Sequence, residues 1–239
     1  MTYACSHVLL WVADIHQAVA DFRQLGFHVD YATDSANAKH AHIWFTQGAV
    51  IELLTTPPNA HRFKWLIDLM AGRGAGVRML RWPTGGEGFC DVALQVDTMD
   101  LKPTVRALRR DGLAMGRAVR WVRKRPDKQR IRFQFAYPRN DRLPFLVSCY
   151  DPPQHPAHIE HLNGATRLRR VYLDVCDADR TALNRLIGRN EDFVLTPGPV
   201  TALRAIELDG LRLPLPLALS HGAAIRPATD FTAGETDVA

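Results

Sequence analysis

Long apolar runs are missing from this 239-residue chain. None approaches the ~18 residues that a membrane-spanning helix needs, which excludes a helical integral membrane protein. The opening residues MTYACSHVLLWVADIH show neither a basic n-region nor an Ala-x-Ala cleavage pattern, so no secretory leader is expected and cytoplasmic residence is. Cysteine is scarce: Cys5, Cys90, Cys149 and Cys176 are the four, and no two form a CxxC pair. That spacing weighs against a cysteine zinc site and fits small buried thiols in a reducing compartment. No nucleophile elbow, Ser/His/Asp set or Cys/His pair is recognisable, which weighs against covalent catalysis. What remains is ordinary globular composition, 46% hydrophobic and 23% charged, long enough for a sizeable core.

Charge is unevenly placed. Lys102 to Arg142 holds fourteen Lys or Arg against the acids Asp111, Asp127 and Asp141, while the whole chain sums to only +5. Within this stretch Arg130 to Tyr137 alternates. Arg130, Arg132 and Gln134 share one face and Ile131, Phe133, Phe135 and Tyr137 the other, as in a half-buried strand. The basic face would attract an anion, or serve as a solvated surface. The aromatics face away from the arginines, and no nucleic-acid motif accompanies them, which weighs against nucleic-acid binding.

A weak internal repeat organises the chain. The first copy, about residues 5–58, starts with an apolar strand, then Asp14 as a helix cap, then Ile15, Val19, Phe22 and Leu25 at helical spacing, closed by Gly26. Strands at Phe27–Tyr31, His40–Phe45 and Ala49–Leu54 follow, giving β-α-β-β-β. The second copy, about residues 88–153, again runs strand, acidic turn, helix and glycine (Gly112), and both copies end in Pro-Pro. Between them, GRGAG and TGGEG read as turns, because a phosphate loop would need a Gly-Lys-Ser/Thr context. A partial third copy spans 166–216, with Glu207 in AIELDG echoing AVIELL, and 217–239 reads as a flexible tail.

Three passages, HVLLWVADIHQAVADFRQLGF, AVIELL and EHLNGATRLRRVYLDV, together resemble the glyoxalase-like branch of the vicinal oxygen chelate superfamily. The last is similar to that branch's His-Pro-Asn-Gly-Ala signature, with Leu162 in place of proline. The resemblance implies an α+β fold: paired β-α-β-β-β units forming a cupped sheet over residues 1–165, with the partial third unit packed on it. It also implies a divalent metal (Zn, Fe, Mn, Ni or Co) at the cup floor, held by ligands from the first and last strands of each unit. Carried onto this chain, those positions are His7 and Glu52, with Asp91 where the second His would be. Val147 or Ser148 stands where the second Glu would be, so the ligand set is incomplete. A symmetric homodimer is the expected assembly, since related cups are often completed across subunits.

His40 and His42 share one strand face and, with Glu52, are the candidate acid–base residues. Trp11, His161, Asn163 and Arg132 are the candidate substrate contacts. For His161 and Asn163 a structured Asn-Gly turn is the competing reading. His155, His158 and His161 lie in a Pro-broken loop and share no helix face. Three functions stay open. One is an enzyme on a small anionic oxygenated metabolite, a lyase, isomerase or dioxygenase. The second is a small-molecule binding or resistance-type protein with a degenerate metal site. The third is an acidic partner or nucleic acid bound through 102–142.

Overall fold

The structure is a computed structural model that describes residues 3–57 and 59–228. Its strands are β1 (Ala4–Trp11), β2 (Asp30–Tyr31), β3 (His40–Ile43), β4 (Val50–Leu54), β5 (Gly88–Gln95), β6 (Val119–Lys124), β7 (Arg130–Ala136), β8 (Phe145–Val147), β9 (Arg167–Val175), β10 (Phe193–Pro197), β11 (Ala202–Asp209) and β12 (Ala224–Pro227). The helices are α1 (Ile15–Gln24), α2 (Lys64–Ala71), α3 (Ala75–Arg81), α4 (Lys102–Arg110) and α5 (Asp177–Ile187). Among the described residues no helix is long and apolar enough to cross a membrane.

β1 to β8 form one sheet in the order β2-β3-β4-β1-β5-β8-β7-β6. Each half repeats the same plan. β1 pairs parallel with β4, β5 pairs parallel with β8, and the halves join through the antiparallel β1–β5 ladder. The paired β-α-β-β-β architecture implied by the sequence is therefore present, and it is α+β. α1 begins where Asp14 accepts the backbone N–H groups of His16 and Gln17, and it buries Ile15, Ala18, Val19 and Phe22. Alternate residues of β1 and β5, Val8, Leu10, Val92 and Leu94, join the same core.

The third unit forms a separate four-stranded sheet, β10-β9-β11-β12, whose Leu168, Val171, Leu173 and Ile206 enter that core. Order extends further than the sequence reading placed it. Residues 217–228 form a turn and then β12, because β12 finishes the sheet beside β11. The rest of the expected tail, 229–239, lies outside the described residues. Glu207 belongs to this sheet. It accepts from the Tyr172 hydroxyl at 2.7 Å and pairs with Arg170 and Arg226, so it takes no part in the cup.

His161 and Asn163 clasp the third unit's approach to the first unit. The His161 imidazole accepts from His28 N–H at 3.0 Å through Nδ1 and lies 3.0 Å from the Trp44 carbonyl through Nε2. Only a neutral ring satisfies both partners, and burial lowers its pKa in keeping with that. Asn163 donates to the Leu25 carbonyl, and its backbone stands against Gly26, whose φ of +86° and 2.9 Å clearance for an added Cβ require glycine. These two side chains are structural here, not substrate contacts. His161→Ala should therefore cost about 2 kcal/mol, by stranding an amide and a carbonyl, with ligand affinity for the cup unchanged. Urea denaturation beside a binding titration checks both.

Candidate active site

The concave face of the large sheet holds a cavity of about 540 Å³. Strand alternation decides which side chains reach it. β1 contributes His7 and Leu9, β3 contributes His40 and His42, and β4 contributes Val50, Glu52 and Leu54, while Ala41, Ile43, Ile51 and Leu53 point into the core. Register then gathers the polar groups, because Glu52 stands between His42 on β3 and Leu9 on β1.

The Glu52 carboxylate is the hub. Oε1 accepts from His40 Nδ1 at 2.7 Å and lies 3.7 Å from His42 Nε2. Oε2 lies 3.2 Å from His7 Nε2, and His7 Nδ1 is 3.1 Å from the Ser6 hydroxyl. Burial alone would raise the Glu52 carboxyl, but the His40 hydrogen bond and the imidazoles of His7, His40 and His42 outweigh it and hold it well below the carboxylate range. His7 is lowered, first by burial, against the pull of Glu52. His42 is lowered further, by burial and then by Arg123. At neutral pH the cluster is an ionised carboxylate beside two neutral imidazoles.

Arg123 escaped the sequence reading. It comes from β6, donates through Nη1 to His42 Nε2 at 3.1 Å, and reaches Gln154 Oε1 through Nη2 at 3.4 Å. Alternation along β6 could have found it, since Val119, Trp121 and Arg123 share a face. The expected arginine, Arg132, is on the other face of β7, two-thirds exposed and 3.4 Å from Asp151. The aromatics opposite it do not fill the core behind the sheet. Phe133, Phe135 and Tyr137 line the cup, with Trp44, Trp82 and Trp121. Trp11 does not line it; its indole N–H donates to Thr56 Oγ1 at 3.1 Å. His155 reaches the cup wall and binds the Phe45 carbonyl, whereas His158 is exposed beside Glu160.

Asp91 sits two registers from His7 on the β1–β5 ladder, but it does not serve the cup. Both of its oxygens lie 2.7 Å from Nη1 of Arg78, which comes from α3 and is fully buried. Trp82 Nε1 donates to the same carboxylate at 2.8 Å. The remaining Arg78 amine donates to the carbonyls of Asn140 and Leu143, and its guanidinium lies over the Tyr137 and Phe145 rings. Breaking so buried a pair costs about 3–5 kcal/mol, so this carboxylate is committed to holding α3 against the sheet. As a metal ligand Asp91 is accordingly withdrawn. Val147 is apolar cup wall, and Ser148 is turned to the backbone of Gln134. His7 and Glu52 are the positions left for a metal, and both Glu52 oxygens already face imidazoles. Among the described residues no group of three or more His, Cys, Asp or Glu is arranged to hold a metal ion. The residues do not fit the four-ligand centre that the fold implies.

Residues 5–186 match the family model described as Glyoxalase-like domain. The chain belongs to the glyoxalase-like domain family. Among solved structures, this family member is similar to a hypothetical protein from Staphylococcus aureus at 14% identity, over 94% of this chain and 98% of that one, with a TM-score of 0.68. It is also similar to the Mn(II)-bound glyoxalase from Novosphingobium aromaticivorans at 11% identity, over 88% of this chain and 66% of that one, with a TM-score of 0.52. At these identities the likeness establishes the glyoxalase-like fold. No curated protein matches the chain.

The lowered imidazoles make a stability prediction. A group whose folded pKa lies below its unfolded value leaves the unfolded state binding more protons, so stability falls as pH drops through the unfolded value near 6.5. His7, His42 and His161 all act in this direction. Glu52 acts only at far lower pH. Thermal unfolding should show Tm level above about pH 7.5 and falling toward pH 5, with a shallower fall in His42→Gln.

Proposed function

We propose that this glyoxalase-like protein is an enzyme that moves a proton on a small, anionic, oxygenated metabolite. The observation that carries this reading is the 2.7 Å hydrogen bond from His40 Nδ1 to Glu52 Oε1 on the floor of an apolar cup. A carboxylate that accepts Nδ1–H fixes the ring and leaves Nε2 as the proton acceptor, which is the orienting logic of a His–carboxylate dyad. His40 is nearly half exposed toward the cavity, and no hydrogen bond to its Nε2 occurs among the described residues.

His40 Nε2 would take a proton from a carbon beside a carbonyl. The C–H electron pair forms a C=C bond, the carbonyl π pair moves to oxygen, and the resulting oxyanion would be stabilised by the Arg123 guanidinium beside neutral His42. Return of the proton from His40 to the same or a neighbouring carbon completes an isomerase type of turnover. The aromatics of β7 point into the cup and away from Arg130 and Arg132, which supports a small molecule over nucleic acid as the partner.

Solvent-deuterium exchange at C3 of pyruvate, 2-oxobutyrate and phenylpyruvate, followed by NMR, tests the assignment. Exchange should exceed the uncatalysed rate for at least one of them, and His40→Gln and Glu52→Gln should each lower it about 10²–10⁴-fold. Exchange that is absent throughout, or indifferent to both substitutions, would sink the proposal.

A divalent metal is the competing arrangement, suggested by the Mn(II)-bound glyoxalase of similar fold. His7 and Glu52 would be its positions. Dialysis against EDTA should change the exchange rate by less than about twofold. Loss on chelation, restored by Mn(II), would replace the metal-free reading.

A further inference from the structure

Among the described residues Arg123 is a cation with no acid for a partner. It comes from β6, in the half of the sheet opposite His40 and Glu52, and reaches across to His42. Its hydrogen-bond partners are a neutral imidazole and the Gln154 amide oxygen. Its Nε is buried and has no partner among the described residues. Burying a cation without a counter-charge is costly, and the cost is relieved by an anion that arrives with the ligand.

The rest of the cavity limits what that ligand is. Among the described residues Glu52 is the acid on its wall, and both of its oxygens are engaged by imidazoles. Lys39 adds a second positive charge at the rim, so the wall carries more positive than negative charge. The rest of the wall is mainly apolar and rich in aromatics, among them Trp44, Trp82, Trp121, Phe133, Phe135 and Tyr150. A cavity of about 540 Å³ falls within the usual size of small-molecule sites. A ligand such as pyruvate would leave most of this aromatic surface uncovered.

From this juxtaposition we infer that the ligand class is an aromatic or similarly bulky apolar monocarboxylate, bound with its carboxylate on Arg123 and its ring against the tryptophans. The inference rests on the cup being the working site and names the class of molecule it takes. The carboxylate's two oxygens match the donor geometry of a guanidinium. The apolar body excludes water from the dyad on the cup floor. The same geometry makes Arg123 the residue that sets specificity for acids over neutral molecules.

The test is a binding titration of the full chain, read by tryptophan fluorescence and by calorimetry. The probes are 1-naphthylacetate, its neutral amide 1-naphthylacetamide, and acetate. The acid should bind about 10–100-fold tighter than the amide, as expected for a charge-assisted pair, and acetate should show no saturable binding. Arg123→Gln should abolish the advantage of the acid while lowering the amide's affinity far less, and a thermal melt shows the variant to be folded. Arg123→Lys should restore part of it.

Equal affinity of acid and amide in the unsubstituted protein overturns the inference without any variant. So does an advantage that persists in Arg123→Gln, and so does failure of both naphthyl probes to bind. Because the readout is binding, it separates from turnover. Arg123-dependent acid binding without His40-dependent exchange sinks the proton-transfer reading and leaves the ligand class standing, and the converse result sinks the ligand class alone.

Discussion

An ionised carboxylate set into an apolar cavity is tolerated only when its charge is met on every side. Glu52 faces that constraint, and much of the cup's polar arrangement answers it. β3 brings His40 and His42 to one flank and β1 brings His7 to the other. Once the imidazoles surround Glu52, burial keeps His7 and His42 neutral. The protonation states of the floor thus follow from one buried charge and the strands beside it.

The two halves of the sheet answer similar topology with different chemistry. In the first half the carboxylate on β4 opens onto the cavity. In the second, Asp91 on β5 is sealed by Arg78 and Trp82 from the segment that joins the halves. That segment, carrying α2 and α3, also supplies Ala71, Met79 and Trp82 to the cup wall. One inserted connection therefore narrows the cavity with apolar groups and removes Asp91 from the ligands available to a metal. The internal arginine supplies the positive charge that Asp91 needs in its buried position, which makes this pair a fold determinant.

The second half instead contributes aromatic surface and a cation. Its strands β6 and β7 line the cup with Trp121, Phe133 and Phe135, and they place Arg123 against His42. The carboxylate and imidazoles of one half meet the aromatics and Arg123 of the other because the antiparallel β1–β5 ladder joins both halves in one curled sheet. Behind the sheet the third unit shares the main core with α1, and the His161–Asn163 clasp ties its approach to Gly26 and Trp44.

Local physics wrote the repeat into the sequence. Asp14 as a cap, Gly26 as a stop and the alternation HVLLW are properties of neighbouring residues, and they marked the elements and the family resemblance before any contact was known. The same periodicity placed His40 with His42 on one face, and His7 and Glu52 on strands of one unit. Register and packing decided the rest. Asp91 occupies the right strand position, but whether a carboxylate there meets an open cavity or an arginine depends on where the α2–α3 connection lands, and no local pattern carries that. Alternation sets Arg123 on the face of Val119 and Trp121 and Arg132 on the face opposite Phe133, but which of those faces lines a cavity was decided by the pairing of β6 with β7 and the curl of the sheet. His161 and Asn163 carried a signature whose meaning lies in a loop more than a hundred residues away. Sequence determined which surfaces each element would bury, because burial follows periodicity. Tertiary structure decided which charges would share a cavity, because that depends on which strands lie side by side.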